Sequence, residues 1–284
     1  MSERSSGGPD HKRLPNNLRY KWSVFSFVGL TGLVGLAYLL SQPRWIFSVA
    51  AQVWPGAYYA VDLPVSAEGD RPKVIALSID DGPSSETARI LDTLDRYDAK
   101  ATFFNISGNL STYEGAVRQA VATGHEFGNH LTADEPSIRL SAEAFEAELL
   151  AAEETILPLL PGDASVESSG LVWLRPGMGF YNSQMVSTAR SHGYQLVLGS
   201  VFPYDTHIPS VGFASAFILR TVEPGDIIVL HDGEDRGGRT VDTLERVLPV
   251  LRSRGYEVTT ISGLFERVSA EDTVDVLNNS AKVL

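Results

Sequence analysis

Lys73-Val74-Ile75-Ala76-Leu77-Ser78-Ile79-Asp80-Asp81-Gly82-Pro83 reads as a buried β-strand that runs into two carboxylates and a turn. Val74–Ser78 is a short, β-rich apolar run, the first strand candidate after the pattern changes at Lys73. A helix-period segment follows over Ser85–Tyr97, and the same alternation then repeats down the chain. Further strand candidates are Ala101–Asn105, Glu126–Asn129, Val172–Arg175, Gln195–Ser200, Asp226–Leu230 and Glu257–Ile261. Between them lie helix candidates near Tyr113–Ala122, Ser141–Leu159, Asn182–Ser191, Phe213–Thr221 and Thr240–Ser253. Ser141 followed by Ala142, Glu143 and Ala144 is a capped start for the longest of these. Alternation of this kind predicts an α/β fold of βα units around a parallel sheet, and seven units are enough to close a barrel.

Upstream of Lys73 the pattern is different. Trp22–Leu40 is a 19-residue run without a charge, close to the roughly 20 residues that cross a bilayer core as a helix. Arg4, Lys12, Arg13, Arg19 and Lys21 precede it, whereas among basic residues only Arg44 stands between it and Arg71. That asymmetry predicts a cytoplasmic N-terminus and an extracytoplasmic remainder. The alternative is a signal peptide, with Ser48-Val49-Ala50 as a cleavage site and a secreted product. The domain reading is a disordered cytoplasmic tail over 1–19, a transmembrane anchor over 20–41, a juxtamembrane linker over 42–72, the folded domain over 73–268 and a polar tail over 269–284.

Composition narrows the partners. The chain of 284 residues is 43% hydrophobic and carries 23 Lys and Arg against 35 Asp and Glu, a net charge of −12. A core of that size excludes disorder throughout the chain, and the acidic balance argues against nucleic acid as partner. The absence of Cys excludes a thiol nucleophile, a disulfide scaffold and thiolate metal ligands. No protein partner is predicted.

In a parallel barrel the chemistry gathers where strands end. Asp80 and Asp81 are adjacent and point differently, so one can hold a metal while the other acts as a base. His130 and Asp134 stand four residues apart, a spacing that puts an imidazole and a carboxylate on one side of a turn as metal ligands, with Asp80 or Asp81 as a third. Arg175 meets the glycine-rich Pro176-Gly177-Met178-Gly179, whose backbone N–H groups can be exposed. Two more strands lead to Tyr204-Asp205-Thr206-His207 and Leu230-His231-Asp232-Gly233.

This constellation resembles carbohydrate esterase family 4, the polysaccharide deacetylases with a NodB homology domain, over about residues 73–268. The resemblance implies a distorted (β/α)7 barrel preceded by the membrane helix, with Asp80 as general base and Asp81 as metal ligand. His130 matches the first His of the family's His-x-x-x-His motif, and Asp134 stands where its second His is expected. Arg175-Pro176-Gly177-Met178-Gly179 is similar to the third motif, whose Arg holds the base; Met178 replaces the Tyr whose backbone N–H serves the oxyanion. Asp205 fits the second Asp of the fourth motif, while Phe202 and Thr206 replace its first Asp and its Trp. Leu230-His231-Asp232 fits the fifth, whose His is the general acid, oriented by Asp205. The implied activity is metal-assisted hydrolysis of N-acetyl groups on an N-acetylglucosamine-containing glycan. The implied cofactor is one divalent ion, zinc first, with manganese, cobalt or iron favoured by the carboxylate at 134. The rival readings are a degenerate, membrane-tethered glycan-binding domain and an amidase acting on a small molecule.

Overall fold

The computed structural model describes residues 38–65, 69–161, 166–233 and 235–268. The chain divides into two compact units, Met1–Gln42 and Pro43–Leu284. Of the first unit only residues 38–42 are described, ending a helical turn in which Ser41 Oγ donates to the Tyr38 carbonyl at 2.6 Å. The cytoplasmic tail over 1–19, the polar tail over 269–284 and all but the last residues of the 20–41 anchor therefore lie outside the described residues. Among the described residues no helix is long and apolar enough to cross a membrane.

Every strand predicted from Lys73 onward is found in the second unit. They are β2 (Val74–Asp80), β3 (Thr102–Asn105), β4 (Glu126–Asn129), β5 (Trp173–Leu174), β6 (Gln195–Val197), β7 (Ile227–His231) and β8 (Glu257–Thr259), preceded by a short β1 (Ala57–Tyr58). The order is β1-β6-β5-β4-β3-β2-β7, with β8 also on β2, and all of these pairs are parallel.

The sheet curls until its far strands meet. Beyond β6, Val201 bridges Ile228 of β7: Val201 N–H donates to the Ile227 carbonyl at 3.2 Å, and Val229 N–H donates to the Val201 carbonyl at 3.0 Å. Lower in the seam β1 lies on β6, and Val61 N–H donates to the Gly225 carbonyl just before β7 at 2.8 Å. Val61 and Leu63 are buried in the same cluster as Val74, Trp173 and Ile227. Within the 42–72 stretch expected as a linker, residues from Pro43 group with the second compact unit, and residues 57–63 help to close its sheet. The helix α1 (Arg44–Val53) is tied down through Arg44, which donates to the Pro224 carbonyl at 3.2 Å and pairs with Asp226 at 3.6 Å.

Helices cover the outside: α2 (Thr87–Arg96), α3 (Glu114–Ala122), α4 (Ala142–Ile156), α5 (Ser183–Ser191), α6 (Val211–Thr221), α7 (Gly237–Ser253) and α8 (Ile261–Phe265). Ser141 caps α4 as its sequence predicts, accepting the Ala144 N–H at 3.2 Å, and Asn182 caps α5, accepting from Met185 at 2.9 Å.

The period of a strand explains how the site is placed. Along β2, Ile75, Leu77 and Ile79 join the large core cluster that the helices complete, while Val74 and Ala76 join the inner cluster with Trp173 and Phe265. On that inner face the series runs Val74, Ala76, Ser78, Asp80, so polarity rises toward the strand's C-terminal end. β7 behaves alike, with Ile227 inside at the bottom and His231 inside at the top, while Ile228 and Leu230 face outward. Leu149 of α4 is fully buried in the outer core. Leu149→Ala should destabilise the barrel by about 2–5 kcal/mol, read from denaturant unfolding. A cost near zero would show that α4 does not pack there.

Candidate active site

Because β2 and β7 are parallel and in register, Asp80 and His231 are direct partners at the top of the barrel. Both line a cavity of about 480 Å³ together with Asp81, His130, Asp134 and Arg175. All eight residues singled out from the sequence meet at or beside this cavity: Met178 lines it as well, and Asp205 holds His231 from behind.

Asp80 is buried and its Oδ1 accepts from Arg175 at 2.6 Å. Arg175 is itself buried and over-determined: it donates to Ser78 Oγ at 2.7 Å and to the Val197 carbonyl at 3.1 Å, and lies 4.2 Å above the Phe104 ring. A guanidinium fixed on three strands gives the Asp80 carboxylate one orientation. His231 Nδ1 lies 3.0 Å from Asp205 Oδ1, and the His231 N–H donates to Asp205 Oδ2 at 3.1 Å. With Nδ1 engaged, Nε2 is the nitrogen left for the cavity. Burial alone would lower the His231 pKa, but the Asp205 hydrogen bond and charge, with Asp80 and Asp81 beyond, raise it above the ordinary imidazole value.

His130 Nδ1 is 2.6 Å from the Arg175 carbonyl, which can only accept, so Nδ1 carries the hydrogen and Nε2 faces Asp81 Oδ1 at 3.3 Å. An imidazole nitrogen and a carboxylate oxygen at this distance share a cation, either a proton on Nε2 or a metal ion in its place, and a carbonyl accepting from the other ring nitrogen is the usual support of a metal-binding His. Burial raises the Asp81 carboxyl pKa, but His130, His231 and Arg236 together bring it down to about 2. The donor chemistry therefore fits a hard or borderline divalent ion. Asp134 is less committed. Its side chain is 38% exposed and pairs with Arg236 at 3.4 Å, and among the described residues no three carboxylates or imidazoles yet converge on one point.

Backbone shape concentrates here too. Asp81, Leu131, Met178 and Tyr204 all have positive φ, between 58° and 67°, and each follows a strand that leads into the cavity. Side chains held in this region mark sites that the surrounding fold over-determines. In the Met178 turn, Gly177 N–H donates to Ser137 Oγ at 2.7 Å and Gly179 N–H to the Pro176 carbonyl at 3.0 Å, with the Met178 N–H between them. A Cβ on Gly177 would fall 2.1 Å from the Glu135 carbonyl oxygen, so only glycine lets the two loops meet.

Comparison with known proteins gives the family. The polysaccharide deacetylase family model matches residues 67–197. A peptidoglycan-N-acetylglucosamine deacetylase of Bacillus cereus is 32% identical over 213 residues, covering 74% of this chain and 94% of that protein. The chain belongs to the polysaccharide deacetylase family. A chitooligosaccharide deacetylase of Rhizobium leguminosarum bv. trifolii is 28% identical, covering 72% of this chain and 97% of its own. Peptidoglycan deacetylase PdaC of Bacillus subtilis superposes with a TM-score of 0.62 at 25% identity, covering 73% of this chain and 96% of that one. The polysaccharide deacetylases are hydrolases of carbon–nitrogen bonds and are generally metal-dependent.

Two residues at this candidate site were not singled out in sequence. Asp232 is fully buried and accepts from Ser84 Oγ at 2.6 Å and from Thr87 Oγ1, clamping the loop after Asp80-Asp81 to β7. Burial raises its carboxyl pKa to about 6, against the lowering effect of those two hydroxyls. The other is Arg236, which donates to Asp81 as well as to Asp134. Nothing marks it locally beyond a lone Arg after His231-Asp232-Gly233, since its partners lie 155 and 102 residues away.

Proposed function

We propose that this chain removes acetyl groups from N-acetylglucosamine units of an envelope glycan, by hydrolysis assisted by one divalent metal ion. The observation that carries this reading is the register pair at the barrel mouth: a carboxylate aimed by Arg175 beside an imidazole aimed by Asp205, over one cavity. An acid and a base set apart by their own partners are what amide hydrolysis needs. The B. cereus and R. leguminosarum relatives, named as acting on peptidoglycan and chitooligosaccharide, support a glycan rather than a small molecule as substrate.

Asp81, His130 and Asp134 would hold the metal, which supplies carbonyl polarisation and a more acidic water. Zinc is the first choice, and the carboxylate at 134 leaves manganese, cobalt and iron close behind. The chain's own groups do the rest. Asp80 takes a proton from the attacking water as its oxygen bonds to the acetyl carbon. The Met178 N–H donates to the oxyanion that forms. His231 then gives the Nε2 proton to the sugar nitrogen as the C–N bond breaks, leaving acetate and a free amine. Arg175 and Asp205 hold base and acid in place throughout.

The uncharged run Trp22–Leu40 and the basic residues before it support a membrane-anchored enzyme with this domain outside the cytoplasm. Acetate release from a panel of N-acetylglucosamine oligomers, peptidoglycan and small acetamides tests the assignment. Release from glycans should stop with chelator and return with added divalent ion. Release that ignores chelator would remove the metal from the scheme; binding of glycan without any release would make this a degenerate member.

A further inference from the structure

Arg236 has no part in the chemistry above, yet its guanidinium sits inside the proposed metal site. From the loop before α7 it donates to Asp81 Oδ2, and its other terminal nitrogen lies 3.4 Å from Asp134 Oδ2. Those are two of the three side chains assigned to the metal. The Asp81 carboxylate is thus divided, with Oδ1 toward His130 and Oδ2 toward Arg236.

We propose that Arg236 is a resident counter-ion of the metal site: its guanidinium and the divalent ion bind the same carboxylates in turn, and its displacement sets the affinity for metal. The inference rests on the metal-site reading given above. Asp81 is buried, so its charge needs a partner in the absence of metal, and a planar guanidinium can bridge two carboxylates. At the Asp81 and Asp134 oxygens that Arg236 holds, an incoming divalent cation would meet a like charge at contact distance, so the two compete for them. The Arg236 side chain is 29% exposed, so it has solvent to move into once it lets go. The departure from the family pattern at Asp134 belongs to the same device. A neutral imidazole there would give the guanidinium no second charge to hold, whereas a carboxylate does.

The test is metal affinity, measured by calorimetric titration of zinc and of manganese into the metal-stripped full-length chain in detergent. Arg236→Gln should bind metal about fivefold more tightly than the unaltered chain, the scale on which loss of a partly exposed ion pair is felt. Arg236→Lys keeps the charge but loses the bridging fork, so its affinity should fall between the two; it also serves if Arg236→Gln does not fold. Without metal, Arg236→Gln should unfold at a lower temperature than the unaltered chain, and saturating metal should close that gap. Equal affinity in all three proteins overturns the proposal while leaving the metal site standing. Weaker binding by Arg236→Gln also overturns it, because Arg236 would then support the bound ion. Failure of all three to take up metal overturns it together with the metal-site reading.

Discussion

Asp80→Asn should cut acetate release by about 10²–10⁴-fold, the usual size of a lost general base, while metal stays bound. Asparagine keeps the shape of Asp80 and can still accept from Arg175, which in the native chain lies 2.6 Å from Asp80 Oδ1. What disappears is the capacity to take a proton. Arg175 then carries a buried charge with no carboxylate beside it, a loss on the order of 3–5 kcal/mol for a broken buried pair. Unfolding therefore has to be followed beside the rate, with circular dichroism confirming a native barrel at the assay temperature. Asp81→Asn should fail differently. It weakens a ligand, so occupancy and rate should drop together, and excess metal should recover part of the rate. Elemental analysis of the two variants separates the roles. Metal lost from Asp80→Asn and kept by Asp81→Asn would reverse them.

His231→Ala should match Asp80→Asn in retaining metal and losing about 10²–10⁴-fold in rate on an amide. The loss should shrink on an acetyl ester, whose leaving oxygen needs less protonation than an amine. Equal losses on both substrates would remove His231 as the proton donor. Its titration gives a second reading. As general acid His231 must be protonated, so activity declines as pH rises through its pKa. Burial lowers that pKa, and Asp205, with Asp80 and Asp81 beyond it, more than restores it. Asp205→Asn removes the carboxylate charge and leaves the burial, so the pKa falls and the protonated form is lost at lower pH. The basic limb of the kcat/KM profile should accordingly move toward acid. A limb that stays in place would show that some other group sets it.

Much of this barrel is legible without coordinates because its signals are local. β2 is an uninterrupted buried run, Ser141 announces α4, and β4 and α3 fall within a residue of their sequence expectations. Chemistry is legible for a related reason. A strand places alternate side chains on one face, so a carboxylate or imidazole at the end of an apolar run stands at the mouth of a parallel barrel. Asp80, His231 and Arg175 could be picked out on those grounds.

What escaped was nonlocal or lacked a periodic signature. Residues 57–63 look like a linker because two strand residues and a few apolar neighbours make no pattern, yet they fill the seam between β6 and β7. Asp232 reads as part of a motif, while its work as a clamp on Ser84 and Thr87 depends on how the loops meet.

The sequence by itself determined the βα alternation and which residues stand at the strand ends, since both follow from spacing within a few turns or strand steps, and its motifs carried the resemblance to the family. Tertiary structure alone decided that Asp80 and His231 are register partners, that Val201 reaches Ile228 to draw the curled sheet together, and that Arg236 binds Asp81 and Asp134. Those contacts join residues from 27 to 155 positions apart. At such separations periodicity carries no information, and strand register, sheet curl and the balance of buried charge determine which groups meet.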